Sequence, residues 1–181
     1  MTSLQGQLLI ASPSLVDPNF ARTVVAIANH DEDGALGIVL NRPSDTEVVE
    51  AVPELEGVVD GEDVVYVGGP VQPASIVVLA EFADPSEAAF LVVEGIGLVS
   101  DRTGLERLEV ATARRRIFAG YAGWGPGQLE AELEREDWIV EPALPEDVFA
   151  EDPFELWSRV LDRKGGQFRL VARMPPDPTL N

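Results

Sequence analysis

Two β-rich runs, Thr23 to Asn29 and Ala35 to Leu40, flank the segment His30-Asp31-Glu32-Asp33-Gly34. Branched and small apolar residues fill the runs, and the connecting loop ends in Asp-Gly, a dipeptide that tolerates positive φ and reverses a chain. The spacing predicts a β-hairpin. A hairpin commits its two strands to antiparallel pairing, which rules out an all-parallel, doubly wound sheet as the frame of this chain. The second strand is predicted to end at Asn41-Arg42-Pro43, because proline cannot donate to a central ladder.

The remaining elements are read around this hairpin. Gln7 to Ala11 is an apolar run closed by Ser12-Pro13 and predicts a buried strand. Further strands are predicted at Val64 to Val67, Ile76 to Leu79, Phe90 to Val93, Arg116 to Gly120 and Phe168 to Ala172, with Gly68-Gly69-Pro70 a tight turn between the first two. Asp17-Pro18 marks a turn or helix start, Thr46 to Val52 a short helix ended by Pro53, and Leu105 to Ala113 a weakly amphipathic helix. In Trp124-Gly125-Pro126-Gly127-Gln128-Leu129, Gly125 reads as N-cap, Pro126 as the first helical residue and Gln128 as the side chain reaching back to the cap. Trp124 and Leu129 are spaced as a hydrophobic staple, and the helix is expected to run to about Arg135. Asp152-Pro153-Phe154-Glu155 opens another helix, with Phe154, Trp157, Val160 and Leu161 as its apolar stripe and Gly165-Gly166 as its stop. Strands with short connections and interspersed helices give an α+β fold with a mixed, mainly antiparallel sheet flanked by short helices. No repeat or linker divides it. One domain is expected over residues 1–173, and the Pro-rich segment 174–181 reads as an extended tail.

Side-chain chemistry narrows the function. The 181 residues contain no cysteine and one histidine, which excludes thiol nucleophiles, disulfides, iron–sulfur clusters and zinc sites of several His or Cys ligands. Phosphate-binding, serine-hydrolase, metalloprotease and dinucleotide signatures are absent. Asp31-Glu32-Asp33-Gly34 lacks the remaining ligands of a calcium loop. No metal or cofactor is expected. The net charge of −19 leaves no broad basic face to release counterions from a nucleic acid, so direct nucleic-acid binding is not expected. Charge is nonetheless segregated. Asp45 to Asp63 carries eight acids and no base, whereas Arg114, Arg115 and Arg116 stand together and Arg159, Arg163, Lys164, Arg169 and Arg173 crowd the C-terminal part. The first residues have no basic region followed by a long apolar run, and no stretch nears the roughly 18 apolar residues of a spanning helix. A cytoplasmic location is expected.

Three groups remain as candidate sites. His30 adjoins the acidic loop, where Asp31 or Asp33 would orient it as a general base. Its plain alternative is a structural imidazole at a strand end. Asn41 and Arg42 place an amide and a guanidinium at a strand terminus, suited to gripping a carboxylate or phosphate, or to internal pairing with the chain's many acids. Gly68-Gly69 and Gly125-Pro126-Gly127 are glycine turns whose N–H groups can meet an anion, and whose geometry tight turns alone also require.

The segments GQLLIASPSLVDPNFARTVVAIANHDEDGALGIVLNRP, VYVGGPV and FAGYAGWGPGQLEAEL together resemble the YqgE/AlgH family of bacterial proteins, from Gly6 to about Arg173. The matching positions are His30, Gly34, Asn41, Arg42, Pro43, Gly68, Gly69, Pro70, Ser100, Asp101, Gly123, Trp124, Gly125, Gly127 and Gln128. The resemblance implies a compact α+β fold with a coiled, mixed sheet. Its members are mostly uncharacterised, some named as transcriptional regulators, and it supplies no catalytic residues. Many relatives carry a histidine after the strand that here ends Val78-Leu79; this chain has Ala80-Glu81, a departure from any two-histidine arrangement. The expectation is a non-enzymatic protein that binds another protein or an anionic small molecule, with any effect on gene expression indirect. The alternative is a small-ligand-binding enzyme or hydrolase built on a strand-end cluster of His30, Asn41 and Arg42.

Overall fold

A computed structural model describes residues 2–99 and 105–177. The signature residues Ser100 and Asp101 and the last residues of the tail lie outside them. The strands are β1 (Gln7–Ala11), β2 (Val24–Asp31), β3 (Gly34–Val39), β4 (Pro43–Glu47), β5 (Val64–Val67), β6 (Val71–Phe82), β7 (Leu91–Val93), β8 (Ile96–Leu98), β9 (Thr112–Trp124) and β10 (Trp138–Pro142). Helices α1 (Val48–Ala51), α2 (Leu105–Ala111), α3 (Gln128–Glu134), α4 (Pro145–Val148), α5 (Leu156–Lys164) and α6 (Phe168–Val171) flank them. The strands form one sheet in the order β10-β1-β2-β3-β9-β6-β8-β7, with β4 paired to β5 and β5 to β9 off this path. Every pairing is antiparallel except β5 with β9. The chain is a single α+β domain.

The hairpin sits at the centre. β2 and β3 pair from Val25↔Val39 to Asp31↔Gly34, and Gly34 turns at φ +131. Period-two alternation divides their side chains between two cores, as in strands covered on both faces. Leu8, Ile10, Val24, Ala26 and Ile38 point into one, with Trp157, Val160 and Leu161 of α5. Leu9, Val25, Ile27 and Val39 point into the other, beneath Trp124, Leu129 and Trp138. The Trp157 indole N–H donates to the Ala11 carbonyl at 2.9 Å and fixes α5 across the sheet. A smaller core of Val48, Leu55, Val65, Val78, Leu108 and Ile117 lies under the acidic segment.

Six local expectations are corrected. Phe168 to Ala172, expected as a strand, forms α6: Gly165 and Gly166 reverse the chain at positive φ, and the amides close locally, Phe168 N–H on Gly165 and Ala172 N–H on Phe168. Of Thr46 to Val52, only Val48–Ala51 is helical, because Pro43–Glu47 pairs with β5. Pro43 is tolerated there, as β4 is an edge strand with β5 as its one partner. The strand expected at Arg116 to Gly120 runs from Thr112 to Trp124, and the one expected to stop at Leu79 continues to Phe82, since both find long partners in each other. In the Trp124 to Leu129 block, α3 starts at Gln128 because Gly127 turns at φ +73; the Gly125 N–H still donates to Gln128 Oε1 at 3.1 Å. Asp152 caps as expected, accepting from the Phe154 and Glu155 amides, but a 3-10 turn at Pro153–Glu155 throws Phe154 outward, and Leu156 takes its place in the core.

Charge segregation is used within the chain. Asp147 is fully buried and receives both arms of Arg163, at 2.9 and 2.8 Å, while Lys164 donates to the Val140 carbonyl at 2.8 Å. The basic end of α5 is thereby docked on the acidic stretch around β10 and α4. A buried carboxylate held in this way is satisfied, where an unpaired one would cost several kcal/mol.

Candidate functional site

The candidate residues of the hairpin divide between its two ends. His30 is buried near the turn. Its Nε2 lies 2.8 Å from Glu130 Oε1 and its Nδ1 accepts the Leu4 N–H at 3.1 Å, so Nε2 carries the proton and both nitrogens are engaged. Asp31 and Asp33 do not orient it; Asp31 instead accepts from Asn29 and from the Asp33 amide. The Glu130 carboxyl is held below its ordinary range, first by its own backbone N–H and next by His30.

Asn41 and Arg42 lie past the opposite end of the same hairpin, and strand rise puts about 20 Å between Val24 and His30. The strand-end cluster of His30, Asn41 and Arg42 is therefore not formed. Asn41 replaces a missing ladder rung: its Oδ1 accepts the Val24 N–H and its Nδ2 donates to the Arg22 carbonyl, both at 2.9 Å. Arg42 donates to the carbonyls of Asn19 at 2.8 Å and Ala21 at 3.0 Å. Together they clamp a loop in which Arg22 sits at φ +57. Gly68 and Gly69 do join this end. Gly68 accepts from the Val39 amide, donates to the Ala119 carbonyl, and the Val67 amide donates to the Arg42 carbonyl. Arg42→Ala is expected to destabilise by about 1.5–3 kcal/mol, the range for hydrogen bonds to a charged donor. Urea titration checks it; a loss below about 0.5 kcal/mol, the usual surface value, would mean the guanidinium does not hold the loop.

The tryptophan block holds a residue the sequence reading missed. Glu132 receives the indole N–H groups of both Trp124 and Trp138 on Oε2, each at 2.8 Å, and Gln128 Nε2 on Oε1 at 3.1 Å. Its place four residues after Gln128 on α3 was the available signal.

The three consecutive arginines line a cleft against the acidic segment. One lobe, 220 Å³, is bounded by Glu62, Asp63, Tyr66, Arg115 and Arg116; the other, 290 Å³, by Asp60, Asp63, Arg114, Arg115, Arg116 and Phe149. Each guanidinium is anchored through one nitrogen. Arg114 Nε reaches Glu81 at 2.8 Å, Arg115 Nη1 reaches Thr112 Oγ1 at 2.8 Å, and Arg116 Nη1 reaches the Val148 and Ala150 carbonyls. Arg114 lies over the Phe149 ring at 4.6 Å and Arg116 over Tyr66 at 4.5 Å, so two of the guanidiniums are supported by aromatic faces. Burial pulls the Arg116 guanidinium below its usual range, against the pull of Tyr66 and Asp63. Among the described residues, no His, Asp or Glu grouping is placed to hold a metal ion, and no helix is long and apolar enough to cross a membrane.

The family described as DUF179, AlgH-like, matches residues 8–169. The chain belongs to the AlgH-like family. A UPF0301 protein of Streptomyces coelicolor is 43% identical over all of this chain and 97% of its own length, and one of Streptomyces avermitilis is 45% identical over 100% and 97%. Among solved structures, protein DIP2367 from Corynebacterium diphtheriae superposes with a TM-score of 0.85 at 32% identity, covering 95% of this chain and 93% of that one. The AlgH protein from Pseudomonas aeruginosa superposes with a TM-score of 0.74 at 33% identity, covering 96% and 95%. In this AlgH-like chain the Trp124 to Leu129 block and the Asn41-Arg42 pair are built into internal hydrogen bonds, while the arginine cleft faces outward.

Proposed function

We propose that this AlgH-like protein acts by binding, without turnover, and that it takes a small anionic ligand in the arginine cleft. The observation that carries the reading is the anchoring of Arg114, Arg115 and Arg116 through one nitrogen each, which leaves their other guanidinium nitrogens without a protein partner among the described residues. Pre-placed planar donors of this kind suit phosphate or carboxylate. His30, Asn41 and Arg42, the groups a hydrolase would use, are engaged by the frame at separate ends of the hairpin. An effect on transcription would pass through the bound ligand or a protein partner, since a net charge of −19 opposes contact with DNA.

The test is thermal unfolding in inorganic phosphate against chloride at equal ionic strength. A saturable rise in Tm is expected, reaching about 2.7 kcal/mol of stabilisation at a hundredfold excess over Kd. The doubly substituted Arg114→Gln, Arg115→Gln protein should lose it. Equal shifts in both proteins, or none in either, would overturn the reading. In a parallel gel shift at about 150 mM salt no duplex should be retained; sequence-specific binding at about 10⁻⁸ M or tighter would make the protein a direct DNA binder.

A further inference from the structure

We infer that the ligand of the arginine cleft is bipolar: a small phosphate monoester whose body carries hydroxyl or ammonium donors. The inference rests on the anion-binding reading and sharpens it. Asp60, Glu62 and Asp63 line the same two lobes as the arginines. The acids and the arginines nevertheless make no ion pair with each other among the described residues: Arg114 is paired with Glu81, outside the lining, and the Asp63 carboxylate accepts the Asp60 amide of its own loop at 3.1 Å. Two walls of opposite charge thus stand across an open gap.

That arrangement discriminates. A bare anion meets the guanidinium donors but also faces three carboxylates, which repel it and leave their own acceptors unused. A cation has the converse difficulty. A molecule with a phosphate at one end and donors at the other satisfies both walls, and each lone pair it meets across the gap adds specificity. Asp63, Arg115 and Arg116 line both lobes, so the two lobes adjoin along the same stretch of β9. Size sets a further limit. Volumes of 220 and 290 Å³ fall at or below the roughly 300 Å³ lower end of small-molecule sites, which fits a ligand of sugar-phosphate size. The contacts of Arg114 with the Phe149 ring and Arg116 with the Tyr66 ring hold the phosphate-binding forks in place before the ligand arrives.

Calorimetric titration of the full chain with inorganic phosphate, ribose 5-phosphate, O-phosphoethanolamine and ribose tests it. At least one ester should bind about tenfold more tightly than inorganic phosphate, and ribose should not bind. Preference between the two esters separates hydroxyl from ammonium donors. In Asp60→Asn and Asp63→Asn the advantage of the ester should fall to about twofold or less, while phosphate binds as well as before or better. Asp60→Asn is the decisive variant, because its exposed side chain makes no contact that folding needs, and circular dichroism confirms the fold of each. If phosphate binds in an arginine-dependent way but no ester gains, or the gain survives both asparagine variants, the bipolar ligand is wrong and the anion site stands. If neither phosphate nor esters bind saturably, or all bind the Arg114→Gln, Arg115→Gln protein equally, both fall.

Discussion

Gly69→Ala is expected to destabilise the protein by more than about 4 kcal/mol, enough to leave little folded material in a domain whose total stability is on the order of 5–15 kcal/mol. Gly69 has φ +151, and a Cβ there would lie 2.1 Å from the Tyr121 carbonyl carbon, 2.2 Å from its oxygen and 2.4 Å from the Ala122 nitrogen. All three atoms are backbone of β9, the strand that joins β3 to β5 and β6, so no side chain can move aside to make room. Relief requires the β5–β6 junction to lift off β9, at the cost of the Tyr66↔Phe118 and Val71↔Tyr121 pairings. Gly57→Ala is the control. It also has positive φ, +85, but its Cβ would meet nothing within 4 Å, so only the conformational penalty of about 1–2 kcal/mol remains. Urea unfolding of the two variants should separate them clearly; a Gly69→Ala protein that loses no more than Gly57→Ala would refute the close approach.

Trp124→Ala is expected to cost about 3–5 kcal/mol, the range for emptying a buried aromatic site. The ring is 6% exposed, and it packs against Phe20 and Trp138 at centroid distances of 6.3 and 6.1 Å. Its removal also takes one of the two indole donors from Glu132. Gln128→Ala should cost nearer about 1 kcal/mol, as for a lost cap, because its contacts with Gly125 and Glu132 lie at the surface. Trp124→Phe keeps much of the packing and removes only the N–H, so it should fall between the two. Melting temperatures measure all three. Wild-type values for both alanine variants, together with a lost binding activity, would make this block a ligand site in place of a structural one.

Much of the frame was legible because it depends on short-range chemistry. The Asp-Gly turn, the apolar runs of β1 to β3 and the Asp152 cap each need only neighbouring residues, and each forms where the pattern puts it. The errors have a common cause. Phe168 to Ala172 has strand-like residues, but Gly165 and Gly166 reverse the chain before it and its amides close on local carbonyls; Phe154 has the spacing of the apolar stripe but lies in a 3-10 turn that changes its phase. β10 went unread because Trp138, Ile139 and Val140 are a brief apolar interruption in an acidic stretch, and only its pairing with β1 makes it a strand.

The sequence by itself determined the fold class, the central hairpin and family membership, along with the exclusion of thiol and multi-histidine chemistry, since these follow from local patterns and from which side chains exist. The tertiary structure decided which of those side chains are available. It separated His30 from Asn41 and Arg42 by the length of a strand, engaged all three with the frame, and brought the acidic segment of residues 58–64 to the Arg114 to Arg116 stretch of β9. Contacts between residues about fifty positions apart depend on how strands pair across the sheet, and no local pattern in the chain specifies that pairing.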